Sequence, residues 1–139
     1  MLSNPYHQYR ATSVETARPI DLVVMLYKGA LRFTQRGIQA VERQDIDEAH
    51  ASFVRAQDIV AELINGLDLE RGGGLADQLS AIYDYLFRLL VEANTKKSIA
   101  PATEALKLMN ELLSAWQALA DGRIDDTIVA MSTNGAAAL

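Results

Sequence analysis

The chain contains no cysteine, which removes disulfides, thiolate metal sites and thiol nucleophiles together. Histidine is confined to His7 and His50, and proline to Pro5, Pro19 and Pro101, so nothing between residues 20 and 100 breaks a helix through proline. No apolar run is longer than Leu22-Val23-Val24-Met25-Leu26-Tyr27, far short of a membrane span. The N-terminus has no basic cluster leading into an apolar stretch, so no secretory signal is expected and cytoplasmic residence is the default. A basic excess is missing too. With 13 Lys and Arg against 18 Asp and Glu, the net charge is -5 and the pI near 4.9, which argues against indiscriminate nucleic-acid binding. The charge is uneven, however: residues 1–44 carry six Lys/Arg against three acids, and the remainder seven against fifteen. A solvated helix face is the plain reading of that asymmetry.

What the chain does have is apolar mass. Half of its 139 residues are apolar, at the upper end for a soluble domain and enough for one core. Ala plus Leu number 39 against 17 Ile plus Val, which favours helix over sheet. Pro19 and Pro101 suit first helical turns. Asp45 followed by Glu48 resembles a capping box, and Gly66, Gly72-Gly73-Gly74 and Gly122 supply stops. Four helices are predicted, at about 19–43, 46–66, 75–95 and 101–120. Their short connections predict an all-α, antiparallel up-down four-helix bundle. Residues 1–18 read as a flexible extended arm, residues 19–121 as the bundle, and residues 122–139 as a short weak helix and frayed tail.

On helical wheels, the apolar arc of the fourth helix spans about 160°, as suits a helix facing one core. The first helix is broader, about 220°, with Leu22, Leu26, Tyr27, Gly29 and Phe33 inside the arc and Lys28, Arg32, Gln35, Arg36, Gln39 and Arg43 outside it. The third reaches about 240°, because Tyr83, Phe87 and Val91 form an i, i+4 ridge beside the stripe Leu75, Leu79, Ile82, Leu86 and Leu89. A helix touching two neighbours needs a broad arc, and tyrosine tolerates a half-exposed place. Two such helices together point to surplus apolar surface kept for a partner.

Catalytic patterns are scarce. Asp47-Glu48-Ala49-His50 spells a helicase-like box without an accompanying phosphate loop, and Gly72-Gly73-Gly74 leads into Leu75-Ala76 rather than Gly-Lys-Ser/Thr. A di-iron bundle would need two Glu-x-x-His pairs, and one Asp-x-x-His is present. No serine sits in a nucleophile-elbow context. His50 as the acceptor of a phosphotransfer bundle lacks the lysine and glycine that usually follow. No enzyme activity, metal or cofactor is therefore expected.

A more specific pattern opens the chain. Asn4-Pro5-Tyr6-x-x-Tyr9, Val14-x-Thr16-Ala17-x-Pro19-x-x-Leu22 and Met25-Leu26-Tyr27-x-Gly29-Ala30-Leu31-x-Phe33 closely resemble the flagellin export chaperone family, FliS. Arg55-Ala56-Gln57-x-Ile59-Val60-x-Glu62-Leu63 looks like the family's second helix. Ile82-Tyr83-Asp84-Tyr85-Leu86 and Leu90-Val91-Glu92-Ala93-Asn94 look like its third, and Trp116 also fits. The four ordered blocks run from about residue 4 to residue 120 in one register. Arg18, where a small or acidic residue is expected, and Lys96-Lys97 depart from the pattern.

The resemblance implies a cytoplasmic bundle without catalytic activity. It would bind the disordered C-terminal segment of flagellin, prevent premature polymerisation and deliver the subunit to a flagellar type III export gate component. Helix-in-groove recognition needs an apolar furrow, which the first and third helices could supply. The partner-binding residues expected on the two grounds together are Tyr6, Tyr9, Val14, Leu22, Leu26, Tyr27, Ala30, Phe33, Tyr83, Phe87 and Val91. The plainer readings make Pro19 a helix starter, Leu26 and Leu86 core residues, and Gly29 a site of close helix approach. Tyr6 and Tyr9, on a polar arm, would dock on the bundle or on the client. The rival function is a homodimeric structural or adaptor bundle whose surplus faces close on a second copy, so the client-free protein is expected as monomer or homodimer.

Overall fold

The computed structural model describes residues 18–68 and 72–122; the expected arm before Arg18 and tail beyond Gly122 lie outside them. Four helices are present: α1 (Pro19–Glu42), α2 (Ile46–Asn65), α3 (Gly73–Lys96) and α4 (Ile99–Ala120). Each packs on two neighbours, α1 on α2 and α4, and α3 on α2 and α4, which leaves α1 diagonal to α3. Short links force antiparallel neighbours, so the architecture is the up-down bundle that the periodicity predicts.

The helix ends follow from local chemistry. Pro19 occupies the first turn of α1, where its missing N–H costs little. Preceding it, Arg18 forks onto the Asp21 carboxylate at 2.8 and 3.0 Å, and these bonds hold that carboxyl below the usual range. The same guanidinium donates to the Ala120 carbonyl at 3.0 Å, tying the start of α1 to the end of α4. Asp45 caps α2 by accepting from the Glu48 N–H at 3.1 Å. Only that half of the expected capping box forms, because the Glu48 carboxylate takes the Ser52 hydroxyl at 3.4 Å instead. α3 begins two residues before the predicted start, inside the glycine run, with Gly73 at φ +59°.

Two turns close without glycine. After α1, Gln44 is left-handed (φ 64°), the Asp45 N–H returns to the Ala40 carbonyl at 2.8 Å, and the Gln44 N–H reaches the Val41 carbonyl at 3.0 Å. After α3, Lys97 (φ 49°) does the same, with Ser98 N–H to Ala93 at 3.0 Å and Lys97 N–H to Asn94 at 3.4 Å. Both are Schellman-type stops, satisfying carbonyls that a helix end would leave orphaned. The Lys97 ammonium adds bonds to the Asn94 carbonyl and side-chain oxygen at 2.6 and 2.8 Å, so this sequence departure anchors its own turn.

Small residues set how closely α1 and α2 approach. Gly29, Ala30, Thr34, Gly37 and Ala40 are all buried on α1. A Cβ added at Gly29 would stand 3.1 Å from Ile59 Cδ1; one at Gly37 would fall within 2.7 Å of three atoms of the Phe53 ring. Phe53 is fully buried and cannot step aside. Gly29 therefore permits close approach as its sequence suggests, and Gly37, which the sequence reading passed over, is the stricter position. Gly37→Ala should lower stability by about 1–3 kcal/mol through overpacking, and by more than Gly29→Ala. Urea midpoints of the two variants check the order.

Candidate functional site

The surplus assigned to α1 and α3 divides in the structure into an inward and an outward part. Tyr27, Ala30 and Tyr83 go inward: they are 0, 0 and 1% exposed and offer a partner no surface. This corrects their place among residues expected to meet a client directly. The cause is a polar contact across the bundle diagonal. The Tyr27 and Tyr83 hydroxyls bond each other at 2.6 Å, and the Trp116 indole N–H donates to Tyr27 at 3.1 Å. The three rings are tilted neighbours, with Tyr27 centred 6.2 Å from Tyr83 and 6.3 Å from Trp116. Among the described residues, no buried side-chain polar atom lacks a partner. A hydroxyl that finds a partner indoors removes the main cost of burying tyrosine. Burial holds both phenols protonated, pushing Tyr83 up to about 12 and Tyr27 higher still.

The outward part flanks α2 on both sides. Phe87, on α3, is half-buried and lines an open furrow of about 530 Å³ against α2, together with Ala61, Ile64, Asn65, Asp84 and Arg88. Val91 follows one turn along α3 and is 39% exposed. Beyond it the furrow is crossed by a polar tie. Lys97 fixes the Asn94 oxygen, leaving the Asn94 amide to donate to His50 Nδ1 at 3.0 Å. His50 is thus a surface residue joining α2 to α3. On the other side, Leu22, Leu26 and Phe33 are half-buried. They share by helical spacing the side of α1 on which Gly29 meets Ile59 and Phe33 meets Arg55 of α2. Phe33 lies under three guanidiniums, those of Arg32, Arg36 and Arg55, at 5.2, 5.3 and 5.5 Å from its centroid.

Of the residues expected at the site, five therefore border α2 from outside: Leu22, Leu26 and Phe33 on one side, Phe87 and Val91 on the other. Because α1 and α3 are diagonal, they form no groove between themselves; α3 builds one with α2, and on α1 the half-buried Leu22, Leu26 and Phe33 edge the close α1–α2 seam. Ala61 and Ile64 were not among the expected residues. Their apolar side turned toward α3 is a signal that a wheel of α2 could have revealed. Tyr6, Tyr9 and Val14 lie outside the described residues. On α3, Tyr85 is turned the other way, its hydroxyl bonded to the Glu104 carboxylate of α4. Among the described residues, no group of three or more His, Cys, Asp or Glu is placed to hold a metal, and no helix is long and apolar enough to cross a membrane.

The class that the fold defines is an all-helical bundle with an apolar furrow on its outer surface, the form of host that helix-in-groove recognition uses. Comparison with known proteins gives that class a family. The family model described as "Flagellar protein FliS" matches residues 2–123. The flagellar secretion chaperone FliS of Bacillus subtilis is 36% identical over 125 residues, covering 89% of this chain and 92% of that protein. That of Campylobacter jejuni is 35% identical, covering 81% and 88%, and the flagellar secretion chaperone FliSB of Pseudomonas aeruginosa is 34% identical, covering 81% and 92%. The chain belongs to the FliS family, a family of flagellar chaperones and not of enzymes.

Two outcomes follow from the buried aromatic network. Tyr27→Phe leaves both the Trp116 N–H and the Tyr83 hydroxyl without their partner, whereas Tyr83→Phe leaves the Trp116–Tyr27 bond intact. Tyr27→Phe should therefore cost more, by about 1–3 kcal/mol, as read by denaturant titration. Stability should also fall with alkali. A phenol whose folded pKa is raised binds its proton more tightly when folded, so its contribution is complete below the unfolded value of 10.0 and is lost as pH rises toward about 12. Tyrosinate absorbance of Tyr27 and Tyr83 should appear only together with loss of helical circular dichroism.

Proposed function

We propose that this chain binds the C-terminal segment of flagellin in the cytoplasm, shields it from premature polymerisation and hands it to a component of the flagellar type III export gate. The single observation carrying this reading is the open furrow between α2 and α3, lined by Ala61, Ile64 and Phe87, on a chain whose relatives are named flagellar secretion chaperones. A disordered client loses chain entropy when it orders, typically a few kcal/mol, and a long apolar contact offsets that loss. Leu22, Leu26 and Phe33 on one edge of α2, and Phe87 and Val91 on the other, would provide such a contact without unpacking the core. The half-buried state of the first four, with Val91 exposed beside Phe87, is suited to the task, since the packed part is preorganised and the open part gains from burial.

Calorimetric titration with a flagellin C-terminal segment should show a one-to-one complex and a negative heat-capacity change. Val91→Asp places a charge at an exposed position one turn beyond Phe87, beside the α2–α3 furrow. It should weaken the complex about tenfold or more while leaving the thermal midpoint of the free protein nearly unchanged. A tight dimer that ignores the segment would overturn the proposal in favour of a self-associating structural bundle.

A further inference from the structure

The guanidiniums of Arg32, Arg36 and Arg55 converge on one ring, Phe33, and all three side chains are exposed. Three other cations of the described residues stand beside carboxylates, Arg18 on Asp21 at 2.8 Å, Arg43 on Asp45 at 3.7 Å and Lys96 on Glu92 at 3.2 Å, whereas Arg88 and Lys97 bond uncharged oxygens singly. What sets the arginines at Phe33 apart is that three of them share one ring. None of the three arginines around Phe33 has a carboxylate of the described residues within such a distance. Arg32 and Arg36 have no acid three or four positions away on α1, and Lys28 adds a further cation one turn before Arg32. Arg55 has Asp58 three positions on, yet forms no ion pair with it.

Concentrated positive charge is costly and out of character in a molecule of net charge -5. The three guanidiniums stand close to a Debye length of one another, ~8–10 Å, and therefore repel. Cation–π attraction to Phe33 offsets part of that repulsion, but one guanidinium would be enough to cover the ring. The guanidinium fork is made for bidentate carboxylate binding, and a ring beneath it holds the fork in place. Phe33 also lies on the side of α1 that the half-buried Leu26 and Leu22 share by helical spacing, along the α1–α2 edge. A duplex or long single strand would meet an acidic molecule beyond this patch, whereas a short acidic peptide would feel only the local field.

We propose that Arg32, Arg36 and Arg55 dock a carboxylate-rich stretch of the flagellar client, so that the segment runs along the α1–α2 edge past Leu26 and Leu22 with its acidic part at Phe33. The assignment rests on the bundle receiving the flagellin C-terminal segment. It sets the direction and register of that segment, which apolar burial alone leaves loose.

The test is a mutant cycle on the full chain: wild type and the triple variant R32Q/R36Q/R55Q, each titrated with the flagellin C-terminal segment and with the same segment after its Asp and Glu are changed to Asn and Gln. The triple variant should bind the native segment about tenfold or more weakly, with a flatter salt dependence. The neutralised segment should show a like loss against wild type, and combining the two changes should add little. Equal affinity and equal salt slope for wild type and variant would overturn the assignment, as would losses that simply multiply, or a nucleic acid displacing the native segment at the patch. Should the variant fold poorly, the neutralised segment on wild-type protein still decides, since undiminished binding there overturns the assignment. No binding of the native segment to wild type would instead fail the furrow reading itself, and this assignment with it.

Discussion

The hydroxyl of Tyr27 is the point about which the bundle is arranged. It lies in the core, where an unpaired polar group would be costly, and it is paired twice, to Tyr83 from the diagonal helix and to the Trp116 indole from α4. A hydrogen bond tolerates only a few tenths of an ångström of drift, so this pairing fixes the separation of three helices at once. α2, the one helix outside the triad, is held by shape instead: Gly29 and Gly37 let it settle against α1 until Ile59 and Phe53 touch backbone. Polar pairing on three sides and steric contact on the fourth leave one arrangement of the bundle.

That arrangement decides where apolar surface remains. With the tyrosines drawn inward, the outer ridges of α1 and α3 both turn toward α2, and the molecule presents an open furrow on its α3 side and a half-buried apolar row on its α1 side in place of one broad face. The outer side of α2 between those two edges is polar and exposed, with Arg55, Asp58 and Glu62.

Much of this was legible from the residues. Pro19, Asp45 and the glycine run mark helix ends to within two or three positions, because each acts through local sterics or one hydrogen bond. The bundle topology follows from linkers too short for any other path. The depth of Tyr27 and Tyr83 was not legible. A tyrosine on a broad apolar arc is at home in the core or at a half-wet interface, and what chooses is a partner fifty-six residues away across the diagonal. For the same reason the wheels of α1 and α3 predict extra apolar surface correctly in kind, while Phe33, Phe87 and Val91 keep it outside and Tyr27, Ala30 and Tyr83 do not. Cation gathering around Phe33 also escapes a one-dimensional reading, since Arg55 arrives from another helix.

The Arg18 bond to the Ala120 carbonyl brings the two ends of the bundle together, and this has a mechanical side. Tension applied between residues 18 and 120 would load the α1–α4 seam one contact at a time, opening it like a zip from that bond inward. The tight turns at Gln44 and Lys97 lie at the opposite pole, so tension between the poles would have to slide whole helices past each other. The molecule is thus compliant along one axis and stiff along another, and the compliant axis begins where the chain enters and leaves the bundle.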